Sequence, residues 1–151
     1  MTRSKVLFVC TFFGGRARIA ELYAEQFCSG QIEVSSSGFE AGPIRGLPLA
    51  VMEEAGFNFP TDPLVTVFER YAKSETYDYV ITLCDEASAE QCPTFRDSVD
   101  MVYGKKAKML PWSVPDFLAL KGVPAEQLEG ARDIRDLIKE KVIVLLSELD
   151  E

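Results

Sequence analysis

The first informative stretch is continuous and apolar: Lys5 to Cys10 carries Val6, Leu7, Phe8 and Val9 with no alternating polar positions. Such a run predicts a strand covered on both faces, as at the centre of a parallel sheet. It breaks at Thr11-Phe12-Phe13-Gly14-Gly15. From Arg16 to Cys28 the apolar residues Ile19, Ala20, Tyr23, Ala24 and Phe27 recur at helical spacing until Ser29-Gly30 ends the pattern. Gln31 to Ser36 reads as a second strand and Ser37 to Pro43 as a loop. Leu47 to Ala55 reads as a helix closed by Gly56, and Pro63 suits the first position of another helix reaching about Ser74. Tyr77 to Leu83, ending in Cys84, is a third buried strand. Ala107 to Leu110 is a fourth, followed by a rigid loop from Pro111 to Asp116. From Ala125 to about Leu149 the residues Leu128, Ala131, Ile134, Leu137, Ile138, Val142, Leu145 and Leu149 mark a long amphipathic helix.

Strands alternating with helices predict an α/β fold, one domain over residues 1–151 built on a four-stranded parallel sheet flanked by helices on both faces. In such sheets the ligand site lies beyond the carboxyl ends of the strands. Cys10, Cys84 and the loop carrying Asp116 each follow a strand, so all three are expected at that edge.

Composition narrows the chemistry. A formal net charge of −8 argues against nucleic-acid binding, which rewards clustered Lys and Arg. It leaves room for a small anion held by one preorganised loop. The charged start, Met1 to Lys5, is too soon interrupted for a signal peptide, and no apolar stretch approaches a membrane span, so a cytoplasmic protein without membrane contact is expected. The chain has four cysteines and no histidine. Without paired CxxC spacing no zinc or other metal site is expected, and without histidine no Ser-His or Cys-His dyad can form. An activated nucleophile would need local positive field instead. Cys28, on the apolar side of its helix, reads as a small core residue.

Cys10, Thr11, Phe12, Phe13, Gly14, Gly15 and Arg16 fit that requirement. A thiol at a strand end, a loop offering backbone N–H groups, a helix start and an arginine together form an oxyanion trap with a nucleophile in its floor. The field of Arg16 and of the helix end should lower the Cys10 pKa. The same residues also fit a plainer role, a buried strand cysteine followed by a solvated first-turn arginine.

Several segments in order resemble the low-molecular-weight tyrosine phosphatase fold and, within it, the thioredoxin-linked arsenate reductases. These are Val6 to Cys10 with Arg16 and Ala20-Glu21, then Ser36-Ser37-Gly38, Leu49 to Gly56 and Tyr77 to Asp85, and finally Cys92-Pro93 and Trp112 to Asp116. The resemblance implies that Cys10 attacks an oxyanion held by the loop N–H groups and Arg16, with Asp116 as general acid. It further implies that Cys84 and then Cys92 act as resolving thiols, that thioredoxin regenerates them, and that a monomer needs no cofactor. If Cys84 to Cys92 were one helix, their Cα atoms would stand roughly 12 Å apart. A disulfide needs about 4.4 to 6.8 Å, so the polar segment between them must bend or unwind on oxidation. It carries no large apolar side chain to anchor it.

The loop departs from the pattern Cys-Thr-Gly-Asn-Ser-Cys-Arg-Ser that the reductases generally carry. Phe13 stands at the Asn position, and Ala17 replaces the serine whose hydroxyl would stabilise the Cys10 thiolate. Losing one hydrogen bond to a charged group costs about 1.5 to 3 kcal/mol, leaving the thiol roughly one to two pH units less acidic. Seven residues separate Cys84 from Cys92, one more than the family pattern, and Phe117 follows Asp116 where proline is usual. Beside arsenate reduction, the sequence therefore admits a phosphatase using only Cys10, Arg16 and Asp116, or a weakened oxyanion-binding or redox-sensing protein.

Overall fold

A computed structural model of the chain describes residues 3–87 and 90–149. Four strands, β1 (Ser4–Cys10), β2 (Ile32–Ser37), β3 (Tyr79–Cys84) and β4 (Lys108–Ser113), form one sheet in the order β2-β1-β3-β4, and every pair is parallel. Helices α1 (Gly15–Phe27), α2 (Leu47–Glu54), α3 (Val67–Ala72), α4 (Cys92–Tyr103) and α5 (Pro124–Leu149) connect and cover it, with a 3-10 turn at Phe117–Ala119.

The continuous apolar run of β1 has the predicted consequence. Val6, Phe8 and Cys10 face one core with Ile81 and Leu83, where α1 contributes Ile19, Ala20 and Tyr23 and α5 contributes Ile134, Ile138 and Val142. Leu7 and Val9 face the other core with Val80 and Cys84, under Val67 of α3 and Phe95, Val99 and Tyr103 of α4. The two central strands are thus buried on both sides, which only a parallel sheet with helices on each face provides.

Three elements differ from the sequence expectation. The strand predicted at Ala107 to Leu110 runs instead from Lys108 to Ser113 and takes in Pro111. It is an edge strand, so the missing proline N–H leaves no ladder bond unmade. The helix expected from Pro63 begins at Val67, because Thr66 caps it by accepting from the Glu69 N–H at 3.1 Å. Helix α4 has no counterpart in the sequence reading. Pro93 at its start and the buried stripe Phe95, Val99 and Tyr103 account for it.

Candidate active site

Cys10 ends β1, Cys84 ends β3, and Asp116 lies just past β4, so the three predicted residues gather at the carboxyl edge of the sheet. The loop after Cys10 turns sharply: Phe12 is left-handed at φ 56° and Gly14 caps α1 at φ 95°. Gly38, just beyond β2, permits the loop to close. A Cβ there would meet Gly14 N and Phe13 C at 2.8 Å, besides the Phe12 carbonyl oxygen. Glu40 N–H donates to that same carbonyl at 3.0 Å. Phe12 and Phe13 are themselves exposed, and the Phe13 ring lies against Gly42.

Arg16 is 3 % exposed, although its place in the first helical turn also suited a solvated side chain. Its Nη1 donates to the Val114 carbonyl at 3.0 Å and its Nη2 to Thr11 Oγ1 at 2.8 Å. The same two nitrogens hold a carboxylate: Glu90 Oε1 at 2.8 Å and Oε2 at 2.5 Å. Thr11 Oγ1 in turn donates to Glu90 Oε2. Glu90 Oε1 also accepts the Asp85 N–H at 2.7 Å. The planar carboxylate thus occupies the donors that would meet two oxygens of a tetrahedral anion. Burial raises the Glu90 pKa, but the hydrogen bonds and charge of Arg16, with Thr11 and the Asp85 N–H, outweigh it and leave the carboxyl below its ordinary value.

Burial overturns the expectation that local positive field acidifies Cys10. The thiol is 1 % exposed, and burial pushes its pKa above the ordinary thiol value. Arg16 and the N–H groups of Ala17 and Arg16 pull the other way, the Ala17 N–H reaching Sγ at 3.4 Å, but Glu90 adds to the rise. The charge of Arg16 and the N–H groups at the helix start together do not overcome desolvation. Asp116 is half-buried and its pKa is also raised, chiefly by burial, against the Leu118 N–H and Arg16 and with the help of Glu90 and Asp85. Asp85 Oδ2 accepts the Asp116 N–H at 2.9 Å and so fixes that loop to the end of β3.

Cys84 and Cys92 are joined in a disulfide with Cα atoms 5.9 Å apart. The segment between them is not one helix. The anchors that its sequence lacked in apolar form are polar: Asp85 accepts from the Ala87 N–H and Glu90 holds Arg16. Residues 88 and 89 of that segment lie outside the described residues. Cys10 and Cys84 face opposite cores, because Cys10 is in register with Leu83 and the next residue points the other way. Cys92 is 4 % exposed, so the bond is buried. Cys28, free and partly exposed, packs against the first core as expected.

Sequence reasoning missed Glu90 and Gly38 as shapers of the site, and it placed Thr11 in the loop for its backbone without its hydroxyl contact to Arg16 and Glu90. Gly38 stood in a matching segment, and its contact with a loop far away in sequence is what the glycine is for. Glu90 carried no signal of its own, since a lone carboxylate two residues before a cysteine has neither period nor partner until the chain is folded.

Comparison with known proteins agrees with this architecture. A solved arsenate reductase in the oxidized state superposes with a TM-score of 0.72 at 26 % identity, covering 96 % of this chain and 98 % of that one. An arsenate reductase of Halalkalibacterium halodurans is 24 % identical over 142 residues, 94 % of each protein. A glutaredoxin arsenate reductase of Synechocystis sp. is 35 % identical over 83 residues, a match that spans 53 % of this chain and 60 % of that protein. The profile of the low molecular weight phosphotyrosine protein phosphatases matches residues 5–151. The chain belongs to that family.

Proposed function

We propose that this protein is an arsenate reductase that works by a cysteine relay. The observation that carries the reading is the Cys84–Cys92 disulfide, formed at the same sheet edge as Cys10 and Arg16. The loop N–H groups and Arg16 hold arsenate. The Cys10 thiolate bonds to arsenic, and an oxygen leaves as water with the proton of Asp116. Cys84 thiolate then attacks Cys10 Sγ: the sulfur–sulfur bond forms, the sulfur–arsenic bond breaks, and its electron pair reduces As(V) to arsenite. Cys92 thiolate attacks Cys84, frees Cys10 and leaves the Cys84–Cys92 disulfide for a dithiol protein. Because Cys84 faces the opposite core in the disulfide, its side chain must swing across the end of β3 to meet Cys10.

Thioredoxin is the reductant the sequence pattern favours, and the name of the Synechocystis relative makes glutaredoxin the alternative to assay beside it. Arsenate-dependent NADPH oxidation should appear with one of these systems, and Cys10→Ser, Cys84→Ser and Cys92→Ser should each abolish it. Mass spectrometry of single-turnover samples should find Cys10–Cys84 in the Cys92→Ser protein. No turnover with either system, and no arsenate-induced disulfide, would sink the proposal. The family match favours a second reading, hydrolysis of phosphomonoesters by Cys10, Arg16 and Asp116. Aryl phosphate hydrolysis that survives loss of both Cys84 and Cys92 would support it.

A further inference from the structure

We propose that Glu90 is an internal anion that fills the Arg16 clamp while Cys84 and Cys92 are joined, so that oxyanion capture is confined to the dithiol form. The proposal rests on the anion-binding half of the reading above and not on its reductive half.

Arg16 has no spare terminal donor: Nη1 serves Glu90 and Val114, and Nη2 serves Glu90 and Thr11. Both ions are almost fully shielded, with 4 % and 3 % of their side chains exposed. A tetrahedral oxyanion clamped by this guanidinium needs the same two nitrogens. One buried positive charge does not stabilise two anions, so carboxylate and oxyanion exclude each other. Glu90 also has the advantage of a tethered competitor, whose local concentration far exceeds that of a dilute free anion.

The disulfide holds the competitor in place. Glu90 lies two residues before Cys92, and the Cys92 Cα is held 5.9 Å from that of Cys84. Asp85, the residue after Cys84, donates its N–H to Glu90. Between Glu90 and Cys92, Gln91 is left-handed at φ 54°, a conformation its Cβ disfavours. A dithiol reductant delivers two electrons and two protons, breaks the sulfur–sulfur bond and becomes a disulfide itself. The two thiols no longer tie the ends of the segment, Gln91 relaxes to an ordinary backbone conformation, and Glu90 leaves Arg16. Catalysis is thereby ordered: the spent form does not take up a fresh oxyanion until it has been reduced.

Calorimetric titration with inorganic phosphate tests this directly. In the unaltered protein, the dithiol form should bind phosphate at least about tenfold more tightly than the disulfide form. In Glu90→Gln, the gap between the two forms should shrink to within about threefold, with the disulfide form gaining affinity. A measurement that needs no substitution runs alongside: phosphate should raise the Tm of the dithiol form and leave that of the disulfide form unmoved. Equal affinity of the two forms, failure of both to bind, or an unchanged gap in Glu90→Gln would overturn the proposal. Since phosphate binding is read without any arsenic chemistry, a protein that gates phosphate but does not reduce arsenate would refute only the reductase reading.

Discussion

Asp116 shows how one residue's surroundings prepare it for a task. Its backbone N–H is held by Asp85, its Oδ1 caps the turn at Leu118, and burial keeps its carboxyl protonated to higher pH than an ordinary aspartic acid. In the proposed mechanism the reactive form has a protonated Asp116 and an ionised Cys10. Thiolate rises with pH and carboxylic acid falls with it, so kcat/KM should follow a bell. In Asp116→Asn the descent at high pH should vanish and the ascent remain, while the maximum falls by about 10²-fold or more; a pH–rate profile checks this. At this scale the sequence was most informative about Cys10 and Arg16, the proposed nucleophile and clamp. Cys10 and Arg16 are legible because a loop after a buried strand and before a helix has few other uses for them. The Cys10 pKa was not legible, since its rise comes chiefly from the complete burial of the thiol, which only the folded chain shows.

Among the elements, the contact of the loop behind β2 with the loop behind β1 sets the shape of the anion site. Gly38→Ala would press a methyl group onto backbone atoms of Phe13 and Gly14 that have no room to move. It should cost about 1–3 kcal/mol in urea unfolding and abolish phosphate binding to the dithiol form. A second contact joins α2 to α5: Glu54 accepts from Arg132 at 2.8 Å through both oxygens and from Arg135 at 3.2 Å. These arginines hold the Glu54 carboxyl down at about 2. A lowered folded-state pKa stabilises above the unfolded value and loses that effect as the group is protonated in the folded state. Glu54→Gln should therefore lower Tm slightly at pH 7, by no more than about 4 °C, and the difference should close between pH 4.5 and about 2. Thermal melts across that range decide it. Strands β1 and β3 were readable from their continuous apolar runs, and α5 from its period. Helix α4 was hidden because its buried stripe, Phe95, Val99 and Tyr103, is sparse among polar residues, and the full reach of β4 because proline is tolerated only once the strand is known to lie at an edge.

At the scale of the whole molecule, the alternation of strands and helices was enough to bring the candidate residues Cys10, Cys84 and Asp116 to one edge, since every parallel strand ends there. Which side of the sheet each thiol faces was fixed by register, and that has a further consequence. The sheet acts as insulation between two sulfur chemistries. An oxidant that closes Cys84 onto Cys92 in the absence of substrate leaves Cys10 on the far side, buried and with its pKa raised by that burial. The idle protein would then be a sheltered one, its nucleophile spared irreversible oxidation until a reductant calls it back into service. Iodoacetamide should accordingly alkylate Cys10 at least about tenfold more slowly in the disulfide form than in Cys92→Ser. Cys28, partly exposed and remote from the site, should react equally in both.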